Sequence, residues 1–163
     1  MIQIGMVIVL GAVIGSMAIA LYAYVLYQPN IIEVSHGEPV VVGPIEYAIV
    51  FEDIHDGIDD ARPNDRFVKI RINMMNVGTE SATISGGQFY FVDTDGERHW
   101  PVYGNGTFGQ EDLLRETLQS GEHITRTTQF DVPYMDDETY SVIIRPAKEH
   151  NSMDMAVVCI TNC

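Results

Sequence analysis

Arg66-Phe67-Val68-Lys69-Ile70-Arg71-Ile72-Asn73-Met74-Met75-Asn76 is the stretch on which the fold turns. Val68, Ile70, Ile72 and Met74 fall on one face of an extended chain, and Lys69, Arg71 and Asn73 on the other. Strict alternation of this kind marks a half-buried antiparallel strand, with one face on a core and one in solvent. Working outward, residues 45–52 form a β-rich run before it. Residues 88–92 and 98–103 flank Asp93-Thr94-Asp95-Gly96, a hairpin turn in which glycine supplies the positive φ. Residues 122–132 follow the turn Ser120-Gly121, and residues 139–145 and 155–160 close the series. Residues 110–117 are expected to be the one helical stretch. Short strands separated by turn signals, with little helix, predict a sandwich rather than a βαβ fold, with about seven to nine strands. Val68, Ile70, Ile72, Phe130, Val142 and Ile144 are expected in its core.

The 163-residue chain is unevenly charged. No Asp, Glu, Lys or Arg precedes Glu33, so all 23 acids and all 9 bases, and the net charge of −14, lie beyond it. Such a domain repels phosphate and anionic lipid headgroups, and no basic stripe is present, which counts against nucleic-acid binding. Residues 4–27 run without a charge and with one Ser. At a rise of about 1.5 Å per residue they are long enough for a hydrocarbon core of about 30 Å. Tyr22, Tyr24 and Tyr27 gather at the far end, where aromatic rings suit a membrane interface, and Gln28-Pro29-Asn30 stops the helix. A cleaved signal peptide would want a basic leading region and a shorter apolar core. The expectation is therefore a retained single-pass anchor in contact with membrane lipid. Gly11 and Gly15 form a small-xxx-small step that suits close packing of a second helix.

The expected division is an anchor over 1–28, a linker and first extended segment over 29–44, and a β-sandwich over 45–163. Pro29, Gly37, Pro39, Gly43 and Pro44 punctuate the linker. Because no Lys or Arg flanks the anchor before Arg62, charge alone does not orient it. Three features favour a domain outside the cytoplasm: the acidic flank, a Cys159/Cys163 pair with no zinc pattern beside it, and the glycosylation sequon Asn105-Gly106-Thr107. A Cys159–Cys163 disulfide is expected, with Ile160-Thr161-Asn162 turning to close it.

A set of turn and strand motifs resembles a known family. Asn76-Val77-Gly78 ends a strand; Phe89-Tyr90-Phe91-Val92-Asp93 leads to Asp95-Gly96; Leu118 precedes Gly121-Glu122; and Phe130-Asp131-Val132-Pro133 follows. Residues 40–146 thereby resemble the telokin-like, immunoglobulin-fold domain of unknown function of prokaryotic surface lipoproteins and membrane-anchored proteins. The resemblance implies an all-β, immunoglobulin-like antiparallel β-sandwich, preceded here by one N-terminal transmembrane helix, in an extracytoplasmic accessory or interaction role with no established enzymatic function. The chain departs from the lipoprotein form in having that helix where a lipobox cysteine would stand.

Two segments carry candidate ligands. Asp53, Asp56, Asp59, Asp60 and Asp65 lie in an acidic stretch between two strands, and several carboxylate oxygens on a flexible loop are what calcium requires. Their spacing does not match the EF-hand template, and a solvated acidic loop is the plainer reading. His150, Met153, Met155, Cys159 and Cys163 collect imidazole, thioether and thiol, a soft set suited to copper(I). An ordinary core strand followed by a disulfide loop accounts for the same residues. His36, His55, His99 and His123 are read as surface or satisfied residues. Nucleophile, phosphate-loop and zinc-protease motifs are not found. Trp100, Tyr103 and Phe108 surround a Gly-rich loop, as an aromatic patch or as core. Three functions remain: an accessory or interaction subunit of a membrane or envelope complex, a filament subunit of the archaeal type-IV-pilin kind, and a calcium- or copper-binding module. Against the second, Gln3-Ile4-Gly5 lacks the basic residue that precedes pilin processing.

Overall fold

A computed structural model describes residues 2–57, 62–103, 111–150 and 152–163. The chain forms two compact units, the first ending at Asn30 and the second spanning Ile31–Cys163. The first is a single helix, α1 (Ile2–Leu26), with no acid in its first turn and no base in its last. Its Gly5–Leu26 portion is long and apolar enough to cross a membrane and is buried nowhere in the molecule. A helix apolar on every side suits lipid better than water. Ser16 fits the same setting, because its Oγ donates to the Val13 carbonyl at 2.8 Å and leaves no unmet donor.

The second unit is built of β1 (Asn30–Ser35), β2 (Val40–Val42), β3 (Ile45–His55), β4 (Arg66–Asn76), β5 (Ala82–Ser85), β6 (Phe89–Val92), β7 (Arg98–His99), β8 (Arg115–Leu118), β9 (His123–Val132), β10 (Tyr140–Ile144) and β11 (Asp154–Thr161). One sheet has the order β1-β11-β10-β6-β7 and the other β2-β3-β4-β9, with β5 and β8 paired separately. The architecture is a β-sandwich. β4 occupies the range read from its alternation. Val68, Ile70 and Ile72 are fully buried, as are Phe130, Val142 and Ile144. Phe91 joins the two layers, with ring centroids 5.4 Å from Phe130 and 5.5 Å from Tyr140. Lys69 and Arg71 on the outer face of β4 both reach Glu52, at 3.3 Å each. Glu52 lies where the β3–β4 register slips between Phe51 and Asp53, and such an irregularity re-aims a side chain out of the ladder.

The sandwich begins earlier than Ile45. Residues 30–42, within the expected linker and first extended segment, carry β1 and β2, one in each sheet. Residues 110–117 are not helical where described: Arg115–Leu118 is a strand paired with Ala82–Ser85. Glu, Leu and Arg favour a helix weakly, but burial of Leu113 and Leu118 together with strand pairing outweighs that preference. The expected strand over 98–103 is regular only at Arg98–His99, although Pro101 still bridges to Phe130. The hairpin at Asp93–Gly96 forms as expected, with Gly96 at φ 80° and its N–H donating to the Asp93 carbonyl.

Asn76, fully buried at the end of β4, explains two of the turn motifs at once. Its Nδ2 donates to the carbonyls of Glu80 (2.8 Å) and Leu118 (3.0 Å), and its Oδ1 accepts the Gly78 N–H (2.9 Å). The Gly121 N–H donates to its backbone carbonyl at 2.8 Å. Gly78 is required by space: a Cβ there would lie 2.8 Å from the Pro44 side chain.

Candidate functional site

The far end of the acidic segment is held by Asp131, which the sequence shows only as part of a strand motif. Asp131, in β9, accepts from the Asn64 N–H (2.7 Å), the Asn64 side-chain amide (2.8 Å) and the Asp65 N–H (3.0 Å). Of the candidate calcium ligands, Asp53 accepts the neighbouring Ile54 N–H at 2.8 Å, and Asp56 pairs with Arg66 at 3.2 Å. Asp59 and Asp60 lie outside the described residues. Among the described residues no three His, Cys, Asp or Glu side chains come together as a metal would require.

At the other end of the chain Cys159 and Cys163 are joined in a disulfide, with Cα atoms 5.8 Å apart. The turn that closes it is made by Asn162, at φ 51°, a left-handed conformation that Asn tolerates better than most residues. Its side chain donates to the Asp136 and Glu138 carbonyls at 2.9 and 2.8 Å, which fixes the tail to the β9–β10 connection. The bond uses both thiols, so the soft-ligand set expected there keeps only His150, Met153 and Met155. Met155 lies on β11 and His150 in a single 3-10 turn, Lys148–His150. Asn105 and Phe108 fall outside the described residues. Gly11 and Gly15 have open space beside them on α1.

The histidines differ among themselves. His99 is paired with Asp93 at 2.8 Å across the β6–β7 hairpin. Burial works against the Asp93 carboxylate, but hydrogen bonds from His99 and the Glu97 N–H, with the charge of His99, outweigh it and hold the pKa below the usual value. His55 lies 3.3 Å from the Gln129 side chain and accepts the Gly57 N–H at 3.2 Å.

The aromatic patch divides. Tyr103 is 41% exposed, yet desolvation pushes the pKa of its hydroxyl up to about 12. Trp100 is 60% exposed. Its ring meets Tyr90 edge-on at 4.3 Å, and the Arg145 guanidinium lies over the same Tyr90 ring, also at 4.3 Å. Tyr90 points out of the five-stranded sheet because its neighbours Phe89 and Phe91 take the inward positions of β6. It is nevertheless only 3% exposed, because Trp100 and Arg145 lie against it. The surface is thus an exposed indole held on a rigid ring beside a fixed cation. The sequence flagged Trp100 but not Arg145, which is distant along the chain and carries no motif.

None of the curated proteins matches the chain at a significant level. Among solved structures, YjhA from Bacillus subtilis aligns with a TM-score of 0.61 at 19% identity, over 77% of this chain and 98% of YjhA. YcdA, a proposed lipoprotein of Bacillus subtilis, aligns at 0.59 and 11% identity, over 76% of this chain and 38% of YcdA. The secreted protein MPT63 of Mycobacterium tuberculosis aligns at 0.56 and 13% identity, over 78% of this chain and 96% of MPT63. At such identities the likeness shows the fold alone, a β-sandwich. The model of the domain of unknown function DUF4352 matches residues 34–152, most of the chain, and the chain belongs to that family.

Proposed function

We propose that this chain is a membrane-anchored, extracytoplasmic, non-enzymatic β-sandwich that binds another protein of the membrane or cell envelope through the surface around Trp100. The observation that carries the reading is the Trp100–Tyr90–Arg145 arrangement. Trp, Tyr and Arg are the residues that most often anchor protein interfaces, because they bury much area at little conformational cost. Here the ring packing on Tyr90 has already restricted both outer side chains. The apolar α1 supports a retained anchor. The Cys159–Cys163 bond supports an oxidising compartment, as does the likeness to a secreted protein.

Within the sandwiches, the immunoglobulin-like and telokin-like assignment is supported by Tyr140. Its hydroxyl, at the start of β10, accepts the Met135 N–H at 2.9 Å and lies 3.1 Å from the Pro133 carbonyl. That is the arrangement of a tyrosine corner.

The test is site-specific photocrosslinking from position 100 of the full chain in its own membrane. One discrete protein adduct is expected. Labelling no different from that at a control position on the opposite sheet would remove the interaction surface.

A further inference from the structure

Next to Arg145 lies a hollow of about 360 Å³ lined by Thr83, Ser85, Arg115, Arg145, Lys148 and Glu149, among others. We propose that it is a binding site for a phosphate group carried by a soluble ligand.

The chain has nine bases against 23 acids, and three of the nine meet here. Four others are engaged by carboxylates: Arg66 by Asp56, Lys69 and Arg71 by Glu52, and Arg126 by Glu116. Among the described residues no carboxylate pairs with Arg115, Arg145 or Lys148. With Glu149 also in the lining, the hollow keeps two positive charges in excess, which complements a phosphate dianion. Gathering like charges is unfavourable in a free protein, and an anion between them offsets that cost.

Local structure builds the site. Ser85 pairs with Arg115 and Thr83 with Thr117 in the β5–β8 ladder. Alternation puts Ala82, Ile84 and Leu118 inward, which leaves Thr83, Ser85 and Arg115 on the open face. Buried Gln88 ties this ladder to the end of β10. It accepts the Ser85 N–H at 2.8 Å and donates to the Arg145 carbonyl at 2.9 Å. Arg145 is held by the Tyr90 ring. Two arginines and one lysine thus line the same hollow as two hydroxyls, a donor set of the kind that recognises phosphate oxygens, with Arg145 Nη2 also donating to the Gly87 carbonyl at 3.4 Å. The strongly acidic remainder of the domain disfavours a whole anionic bilayer surface but not a single phosphorylated molecule.

The experiment is equilibrium dialysis of radiolabelled inorganic phosphate against the full chain in neutral detergent, with chloride holding ionic strength constant. Saturable binding of one phosphate per chain is expected. An Arg115→Gln/Lys148→Gln double variant should lose about tenfold or more in affinity. Arg98→Gln, which does not line the hollow, should stay within about twofold of the parent. Should the double variant melt earlier than the parent, Lys148→Gln alone, in a surface turn, carries the same comparison. Non-saturable binding, or equal losses in the hollow and control variants, would overturn the proposal. Short-chain phosphatidylglycerol tests the source: displacement of phosphate at about tenfold lower concentration would assign the hollow to a lipid headgroup and overturn a soluble ligand. Crosslinking at Trp100 and dialysis against the hollow read different residues, so either reading can fail alone.

Discussion

The side-chain amide of Asn76 donates to the backbone carbonyl of Leu118 at 3.0 Å, joining turns 42 residues apart in the chain. Asn76→Ala should therefore cost about 2–3 kcal/mol, since it leaves buried carbonyls unmet on two segments. Urea unfolding of the full chain checks this; a shift within experimental error would mean that water replaces the amide.

Ile70 is fully buried between the layers. Ile70→Ala should cost about 2–5 kcal/mol, the range for emptying a core position of this size. Arg71→Ala, one residue on and facing solvent, should cost well under about 1 kcal/mol, even though it removes the ion pair with Glu52. Equal destabilisation at the two positions would contradict the assigned faces.

The Asp93–His99 pair gives the hairpin a pH dependence of definite sign. The folded-state pKa of Asp93 is lowered from 3.8. A carboxyl with a depressed folded-state pKa contributes stability that is present above its unfolded value and lost as pH falls through its folded value. Stability should therefore be insensitive to Asp93 from neutrality to about pH 5 and fall below about pH 4. Asp93→Asn should flatten that acid limb in urea midpoints measured across the acid range.

The Cys159–Cys163 loop is short, so its chain-entropy contribution is modest. Reduction should loosen the tail beyond Ile160 while the sandwich persists. Hydrogen exchange would then rise at Thr161 and Asn162 and stay low at Val142 and Ile144. Global unfolding on reduction would show that the tail clamps the core.

Removal of residues 1–30 should release a folded, water-soluble domain, because the second unit begins at Ile31. Circular dichroism and a cooperative melt check this, and an insoluble product would contradict it.

Much of the sandwich was legible because its long strands contain enough residues to show a period. β4, eleven residues long, alternates openly from Val68 onward. β5 and β8, four residues each, are too short for a pattern, and the helix-favouring Glu-Asp-Leu-Leu-Arg-Glu run hid β8. The surface chemistry was harder to read. Trp100 stands out in any sequence, but its supports do not. Tyr90 and Arg145 meet only because β6 and β10 are neighbours in one sheet. The cation hollow likewise draws Arg115 and Lys148 from separate parts of the chain, with Gln88 as an internal brace. Such a site leaves no spacing to detect; it exists only once the strands have paired.

The strand directly after α1 is the outermost member of its sheet, and its one neighbour there is the chain's last strand. Any pull delivered through α1 thus enters the sandwich at β1 and must first shear or peel it from β11. That loads the ladder farthest from the β6–β7 hairpin at the other edge of the sheet. The β1–β11 ladder is in this sense the mechanical fuse of the domain. Under tension β1 should detach as a tether extension while the Trp100 face, carried on β6 and β10, keeps its shape.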